Sequence, residues 1–192
     1  MRISEDRYDR DRQRLELALR FLTHEARTQT VRRWTELSDH RVRNLYRSYL
    51  GGTACYVPRH RGQSPHQAAY FTRSVRIQQE AAVLANYFSL AGLVPEQPSA
   101  AAAVALPGIA CGHRLCDAFE MYGVMIPAAS ITFEYAVFLA ECLARGDQLR
   151  LGKCSDCGGL ILVERFPIRE KRCHHCASAA RCGAAGVAAH PG

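Results

Sequence analysis

Two closely spaced pairs of cysteines near the end of this 192-residue chain constrain its fold more than any other feature. Cys154 and Cys157 form one C-x2-C pair, Cys173 and Cys176 form a second, and fifteen residues separate the pairs. Four thiolates in this spacing can occupy the corners of a tetrahedral zinc site. Because such a site leaves no open coordination position, the pattern predicts one structural zinc ion (Zn2+) per chain.

Redox-active or buried thiols are the alternative interpretation of these cysteines. A thiol–disulfide protein places one C-x2-C pair at the start of a helix in a βαβ unit, and the surrounding sequence is mostly helical instead. The chain also lacks the G-x-G-x-x-G, G-x-S-x-G and H-E-x-x-H motifs and a Walker loop. We therefore predict that the protein is not an enzyme, with a thiol–disulfide protein as the less favoured alternative. His174, His175 and Cys182 lie close to the second pair, and four cysteines in register do not require them.

The whole chain has a net charge of +7, and its basic residues are concentrated towards the two ends. Residues 1–80 carry 16 basic and 9 acidic side chains, residues 81–150 carry 3 and 6, and residues 151–192 carry 6 and 3. A polyanion, most simply nucleic acid, is the partner that such asymmetry favours. A solvated surface can show the same surplus, so charge alone leaves both interpretations open.

The cysteine pattern also bears on location. Nine cysteines, an N-terminus unlike a signal peptide and metal-type spacing favour a reducing compartment. The best apolar run, at residues 100–111, is too short to span a bilayer. We expect a cytoplasmic protein with no membrane partner.

Apolar residues at helical spacing predict a mainly α protein. The stretches 4–37, 66–93 and 110–124 are helical in pattern, a short alanine-rich helix is expected before residue 106, and a last helix is capped by Ser130 and ended by Gly146. The predicted core positions of the second stretch are Phe71, Val75, Ala82, Ala85, Phe88 and Leu90.

After Gly146 the apolar period changes to two, which predicts strands. Leu149 and Leu151 precede the first cysteine pair and residues 160–163 follow it, so that pair lies at a hairpin turn, as in a zinc ribbon. We predict a helical DNA- and partner-binding domain over residues 1–148, a zinc ribbon over 149–178 and a flexible tail over 179–192.

Residues 28–50 predict a helix-turn-helix-like segment. Ser38 or Asp39 can cap the second helix, whose side opposite the apolar one carries basic and amide groups. Arginine forks onto guanine and phosphate, and asparagine onto adenine, so these residue types suit major-groove reading. The candidate DNA contacts come from this second helix, from the loop that follows it and from the ribbon. They are Arg41, Arg43, Asn44 and Arg47 of the helix, Arg59 and Arg61 of the loop, and Arg165, Arg169, Lys171 and Arg172 of the ribbon.

Taken in order, these segments resemble the FlhC family, a subunit of the bacterial flagellar master transcriptional regulator. The resemblance covers about residues 10–178 and includes a long N-terminal helix and an aromatic-rich helix before the cysteines. Its sequence motifs are Leu37-Ser38 before an arginine-rich helix ending in Leu45-Tyr46, and Cys154-x-x-Cys157-Gly-Gly with Cys173-x-x-Cys176. The short Ala- and Gly-rich tail and the two histidines between the last cysteines depart from the family pattern.

The resemblance implies a cytoplasmic transcriptional activator that works with a smaller FlhD-type subunit in a hetero-hexamer. Such an assembly binds promoter DNA of flagellar and other operons and recruits RNA polymerase. Carried over by position, the four cysteines would be the zinc ligands. A zinc-ribbon module that holds RNA or another protein is the alternative from the residues alone.

Overall fold

The computed structural model describes residues 2–52, 56–60, 62–94, 106–165 and 172–179, which form a mainly helical fold with one hairpin. A final helical turn covers residues 174–179. The other elements are α1 (Arg2–Thr23), α2 (Thr28–Thr35), α3 (Asp39–Tyr49), a 3-10 helix (Ala68–Thr72), α4 (Val75–Leu90), α5 (Ile109–Met125), α6 (Phe133–Arg145), β1 (Leu149–Lys153) and β2 (Leu160–Glu164). The predicted fold class is confirmed.

The helical stretch predicted over residues 4–37 is divided at residues 24–27. α1 ends before Glu25, which adopts a left-handed φ of 62°, and α2 starts at Thr28. The buried carboxylate of Glu134 in α6 holds this break, because it accepts hydrogen bonds from the Arg27 amide at 2.8 Å and from Thr30 Oγ1 at 3.0 Å. The partners are more than one hundred residues apart, so local periodicity carries no signal for the interruption.

The helix predicted over residues 66–93 is also interrupted. The 3-10 helix comes first, and α4 then begins where Ser74 Oγ accepts a hydrogen bond from the Ile77 amide at 3.3 Å. Val75 and Leu90 are 45 % and 83 % exposed, so their assignment to the core is wrong. Both are terminal residues of α4, and Leu84 is among the residues that fill the core instead. The predicted alanine-rich helix lies almost entirely outside the described residues, at 95–105.

The end of α6 agrees with prediction and its start does not. Gly146 ends the helix with a φ of 63°, a left-handed conformation that glycine adopts without a Cβ penalty. At the other end Thr132 is the N-cap residue, so the predicted cap at Ser130 is wrong. Ser130 instead donates from its amide and its hydroxyl to the buried carboxylate of Glu80.

Aromatic rings from four helices form the centre of the core. The Phe21 ring of α1 lies 5.8 Å from Trp34 of α2 and 4.9 Å from Phe133 of α6, and Phe119 of α5 lies 5.2 Å from Phe133. The first and fifth helices also pack very closely at Gly112, where an added Cβ would lie 2.5 Å from a Leu17 methyl. A larger residue at position 112 would therefore force the buried Leu17 side chain to move.

The hairpin is anchored on the helical body. Leu151 of β1 pairs with Leu162 of β2 in an antiparallel register, and both side chains join the same buried apolar cluster as the helices. Leu149, the first residue of β1, is also buried there. Leu149 and Leu151 of β1 thus extend the helical core.

Candidate metal centre and nucleic-acid interface

The first cysteine pair lies in the turn of the hairpin, as predicted. Cys154 directly follows β1, and its amide donates to the Gly159 carbonyl at 2.8 Å. The Gly158 amide donates back to the Cys154 carbonyl at 3.0 Å, and Gly158 has a left-handed φ of 70°. These bonds fold the residues between the strands into a tight knuckle with both sulfurs on it.

The second pair closes over the first. The amide of Cys173 donates to Cys154 Sγ at 3.2 Å, and the amide of Cys176 donates to Cys173 Sγ at 3.3 Å. Arg172, just before this pair, forms an ion pair with Asp156 of the first knuckle at 3.3 Å. Backbone and side-chain contacts therefore bring the two pairs together across nineteen residues of sequence.

The four sulfur atoms lie within 4.8 Å of one another, and the distance between Cys157 Sγ and Cys173 Sγ is 3.8 Å. A tetrahedron with metal–sulfur bonds of about 2.3 Å has edges of about 3.8 Å, so the cluster fits a four-thiolate site. Cys154 is buried, Cys173 and Cys176 are half-buried and Cys157 is exposed. Sequence spacing and tertiary geometry therefore agree on a cysteine cluster positioned to hold a metal ion.

Local hydrogen bonds act in opposite directions on two of the sulfurs. Backbone amides of Cys157, Cys173 and Asp156 lower the pKa of Cys154 to about 6, which favours its thiolate. Hydrogen bonding to the sulfurs of Cys173 and Cys157 raises the pKa of Cys176, so this thiol keeps its proton in the absence of a cation. A bound metal ion takes the place of that proton.

The neighbouring histidines are not part of this cluster. His174 and His175 are both exposed, and the Nδ1 atom of His174 lies 3.5 Å from Ser178 Oγ. Cys182, also close in sequence, lies outside the described residues.

Helices α2 and α3 form a compact pair joined by three residues. Glu36 ends α2 with a left-handed φ of 58°, Leu37 is buried, and Ser38 Oγ accepts a hydrogen bond from the Arg41 amide at 3.4 Å. Trp34 of α2 and Val42 of α3 are buried, and they lie on the inner faces of the two helices. Of the two predicted caps, Ser38 is the one that the structure has, and the short turn before it is that of a helix-turn-helix unit.

The candidate DNA contacts on α3 differ in how they are held. Arg41 makes a bidentate pair with Asp11 of α1 at 2.8 and 2.7 Å, which also lowers the pKa of Asp11. Arg43 pairs with Asp39 at 3.0 Å, and Asn44 contacts the His40 ring one turn earlier. Arg47 is exposed and has no partner among the described residues.

The loop after α3 places one more predicted contact beside the helix pair. Arg59 donates to Thr28 Oγ1 at 2.6 Å, and its guanidinium carbon lies 5.0 Å from the centre of the Tyr46 ring. The Tyr46 hydroxyl in turn donates to the Val57 carbonyl at 2.6 Å. Arg61 lies outside the described residues.

Of the four predicted DNA contacts in the ribbon, two lie within the described residues. Arg165 follows β2 and is exposed, and its amide donates to the Gln148 carbonyl at 3.0 Å. Arg172 is engaged by Asp156, whereas Arg169 and Lys171 lie outside the described residues. The pairing of Arg172 with Asp156 has no signal in the sequence, because it depends on how the two knuckles meet.

Fold and site together define a mainly helical protein with a C-terminal four-cysteine cluster that can hold a metal ion. No protein-family model matches the chain, and no curated protein matches it either. None of the described helices combines the length and the apolar composition needed to cross a membrane.

Proposed function

We propose that this chain is the DNA-binding subunit of a bacterial transcriptional activator of the FlhC type, with one structural zinc ion. It acts in the cytoplasm with an FlhD-type subunit, in a hetero-hexamer, on promoter DNA of flagellar and other operons, and recruits RNA polymerase. The observation that carries the proposal is the α2–turn–α3 unit, whose outer face presents Asn44 and Arg47 to solvent.

The three arginines of α3 differ in their carboxylate partners, which supports a distinct role for each. Arg47 is the best candidate for a contact to a base or a phosphate, because no carboxylate among the described residues neutralises it. Arg43 shares an exposed pair with Asp39, and such pairs are worth roughly 0 to 1 kcal/mol, so a phosphate can displace the carboxylate. Arg41 is held by both oxygens of Asp11, and its role is to position α3 against α1.

The donor set supports zinc as the metal. Four thiolates in tetrahedral geometry select zinc or an iron–sulfur centre, and a hairpin between two C-x2-C knuckles is the usual setting of structural zinc. A hairpin of this size buries little apolar surface by itself, so metal binding contributes to its folding. The role of the ion is to fix the ribbon at one end of the proposed DNA-binding surface.

The partner and the DNA are tested together. The chain is co-expressed with an FlhD-type protein, and the purified complex is titrated with duplex DNA from a flagellar promoter over a range of salt concentrations. We expect a complex that binds this duplex with an affinity that falls steeply with salt, because phosphate contacts release counterions. Absence of a complex and of DNA binding would refute the family assignment, and a flat salt response would contradict the phosphate contacts.

Arg47→Gln tests the helix pair itself. The variant should lose roughly 1 to 3 kcal/mol of binding free energy at a preferred base if Arg47 reads that base, or lower the salt slope by about one if it contacts a phosphate. Arg12→Gln is the matched control, since it removes the same charge from α1, where Asp9 and Glu16 already lie 3.8 and 3.6 Å from the guanidinium. Equal DNA affinities of Arg47→Gln and the control would exclude Arg47 as a DNA contact. Stronger binding to RNA than to duplex DNA would favour the RNA-binding alternative.

A further inference from the structure

A pocket of about 500 Å³ lies between the start of α2, the loop at residues 63–67, the 3-10 helix and α6. Its volume is within the range of about 300–1,000 Å³ that is usual for small-ligand sites. The lining is basic, amide and aromatic, with Arg27, His66, Arg73, Tyr70 and Tyr135 as its main side chains. No carboxylate lines it among the described residues.

The two arginines of this pocket are not neutralised by the described part of the protein. The Arg27 guanidinium donates to the Gln63 carbonyl, and its Nε atom is buried without a partner. Arg73 makes a cation–π contact with Tyr70 and no ion pair with any described carboxylate. In contrast, Arg20 and Arg33 of the helical body are held by carboxylates at 2.5 and 2.7 Å. Two uncompensated guanidinium groups on one concave surface favour an anion.

The aromatic residues orient Arg73 for a forked contact. The Tyr70 ring is stacked on Tyr135 at 3.7 Å, and the guanidinium carbon of Arg73 lies 4.2 Å from the centre of the Tyr70 ring. The Tyr70 hydroxyl donates to the Ser130 carbonyl at 3.4 Å, which fixes the ring. A guanidinium that stacks on an aromatic face keeps its in-plane N–H groups available, and their fork matches two oxygens of a phosphate.

We propose that this pocket, named here the Arg27–Arg73 pocket, binds a phosphate-bearing ligand. The phosphate can belong to a free nucleoside phosphate or to the backbone of bound nucleic acid. Arg27 directly precedes α2, and the first helix of a helix-turn-helix unit crosses the DNA backbone. Only the second source rests on the proposed function; the chemistry of the pocket supports the first by itself.

Calorimetric titration of the full chain with adenosine 5′-monophosphate, inorganic phosphate and adenosine tests the first source. We expect the nucleotide and inorganic phosphate to bind, and adenosine to bind least, because the charge-assisted contacts come from the phosphate. Arg73→Gln should weaken nucleotide binding by about tenfold or more. Arg73→Lys, which keeps the charge and loses the fork, should fall between the two. Arg12→Gln is the control and should bind as the unmodified chain does.

The same variants, each in complex with the FlhD-type subunit, are titrated with duplex DNA to test the second source. If the phosphate comes from the backbone, Arg73→Gln weakens binding to duplexes of any sequence and lowers the salt slope by about one, with no nucleotide binding. The proposal is overturned if Arg73→Gln matches the unmodified chain with both the nucleotide and DNA. The two proposals also fail separately. Nucleotide binding without any DNA binding removes the proposed function alone, and a DNA defect in Arg47→Gln without any effect of Arg73→Gln removes this pocket alone.

Discussion

Replacing Glu80 by glutamine tests whether one buried carboxylate joins α4, α5 and the loop before α6. Glu80 is 3 % exposed and accepts hydrogen bonds from the Tyr122 hydroxyl at 2.5 Å, from Arg76 Nε at 2.8 Å, and from the amide and hydroxyl of Ser130 at 2.7 and 3.1 Å. A glutamine has one acceptor oxygen and places an NH2 group at the other position. In either orientation this NH2 group faces a donor that cannot accept, Arg76 Nε or the Ser130 amide.

The size of the effect follows from the ionisation of the carboxyl group. Burial by itself would raise the pKa of Glu80, but hydrogen bonds from Tyr122, Arg76 and Ser130 outweigh burial and lower the pKa from its ordinary value of 4.5 to about 2. At about 1.4 kcal/mol per pH unit, this difference corresponds to about 3 kcal/mol of folding free energy at neutral pH. We therefore expect Glu80→Gln to lower the free energy of unfolding by about 3 kcal/mol at pH 7.

The pH dependence has a definite sign. Because the pKa of Glu80 is lower in the folded than in the unfolded state, its contribution is fully present above pH 4.5 and is lost as the pH falls from 4.5 towards 2. The deficit of Glu80→Gln should therefore shrink over the same interval. Urea unfolding followed by the fluorescence of Trp34, the single tryptophan, measures both quantities.

Glu16→Gln on α1 is the control, because Glu16 is an exposed carboxylate 3.6 Å from Arg12 and should change the stability by less than about 0.5 kcal/mol. The reasoning would be refuted if Glu80→Gln were as stable as this control at pH 7. It would also be refuted if the deficit of Glu80→Gln stayed constant between pH 7 and pH 3.

Two further predictions concern helix packing and the metal centre. Gly112→Ala should lower the free energy of unfolding by roughly 1 to 3 kcal/mol, because its methyl group would lie 2.5 Å from Leu17. Gly123→Ala in the same helix has open space at its Cβ and should raise the free energy of unfolding by up to about 1 kcal/mol, as measured by urea unfolding. Equal effects of the two substitutions would contradict the close packing of α1 against α5 at Gly112. Metal analysis should find one zinc ion per chain. Cys173→Ser should abolish zinc binding, whereas Cys111→Ser should retain it, because Cys111 lies on α5 outside the cysteine cluster. The same metal content in both variants would exclude the cysteine cluster as the zinc site.

Some features of the protein could be predicted because their causes are local in the sequence. The knuckle at Cys154 and Cys157 depends on two cysteines, two glycines and the strands beside them. The stop at Gly146 depends on one residue that adopts a left-handed conformation, and the start of α3 depends on Ser38 beside its own helix. In each case the residues that determine the structure lie within a few positions of it, so their pattern is visible in the sequence.

Only the tertiary structure decided the features that join distant segments. Glu134 stabilises the break in the first predicted helix by a hydrogen bond to a residue 107 positions away. Glu80 accepts a hydrogen bond from the hydroxyl of Ser130, fifty residues further along the chain, so that this hydroxyl does not cap α6 as predicted. The Arg27–Arg73 pocket brings together the residue before α2, a loop, the 3-10 helix with the residue after it, and α6. Whether an arginine such as Arg41 or Arg47 is held by a carboxylate also depends on which helix lies beside it. The physical reason is that buried polar groups must find partners wherever packing places them, and a local pattern records composition and spacing but not those partners.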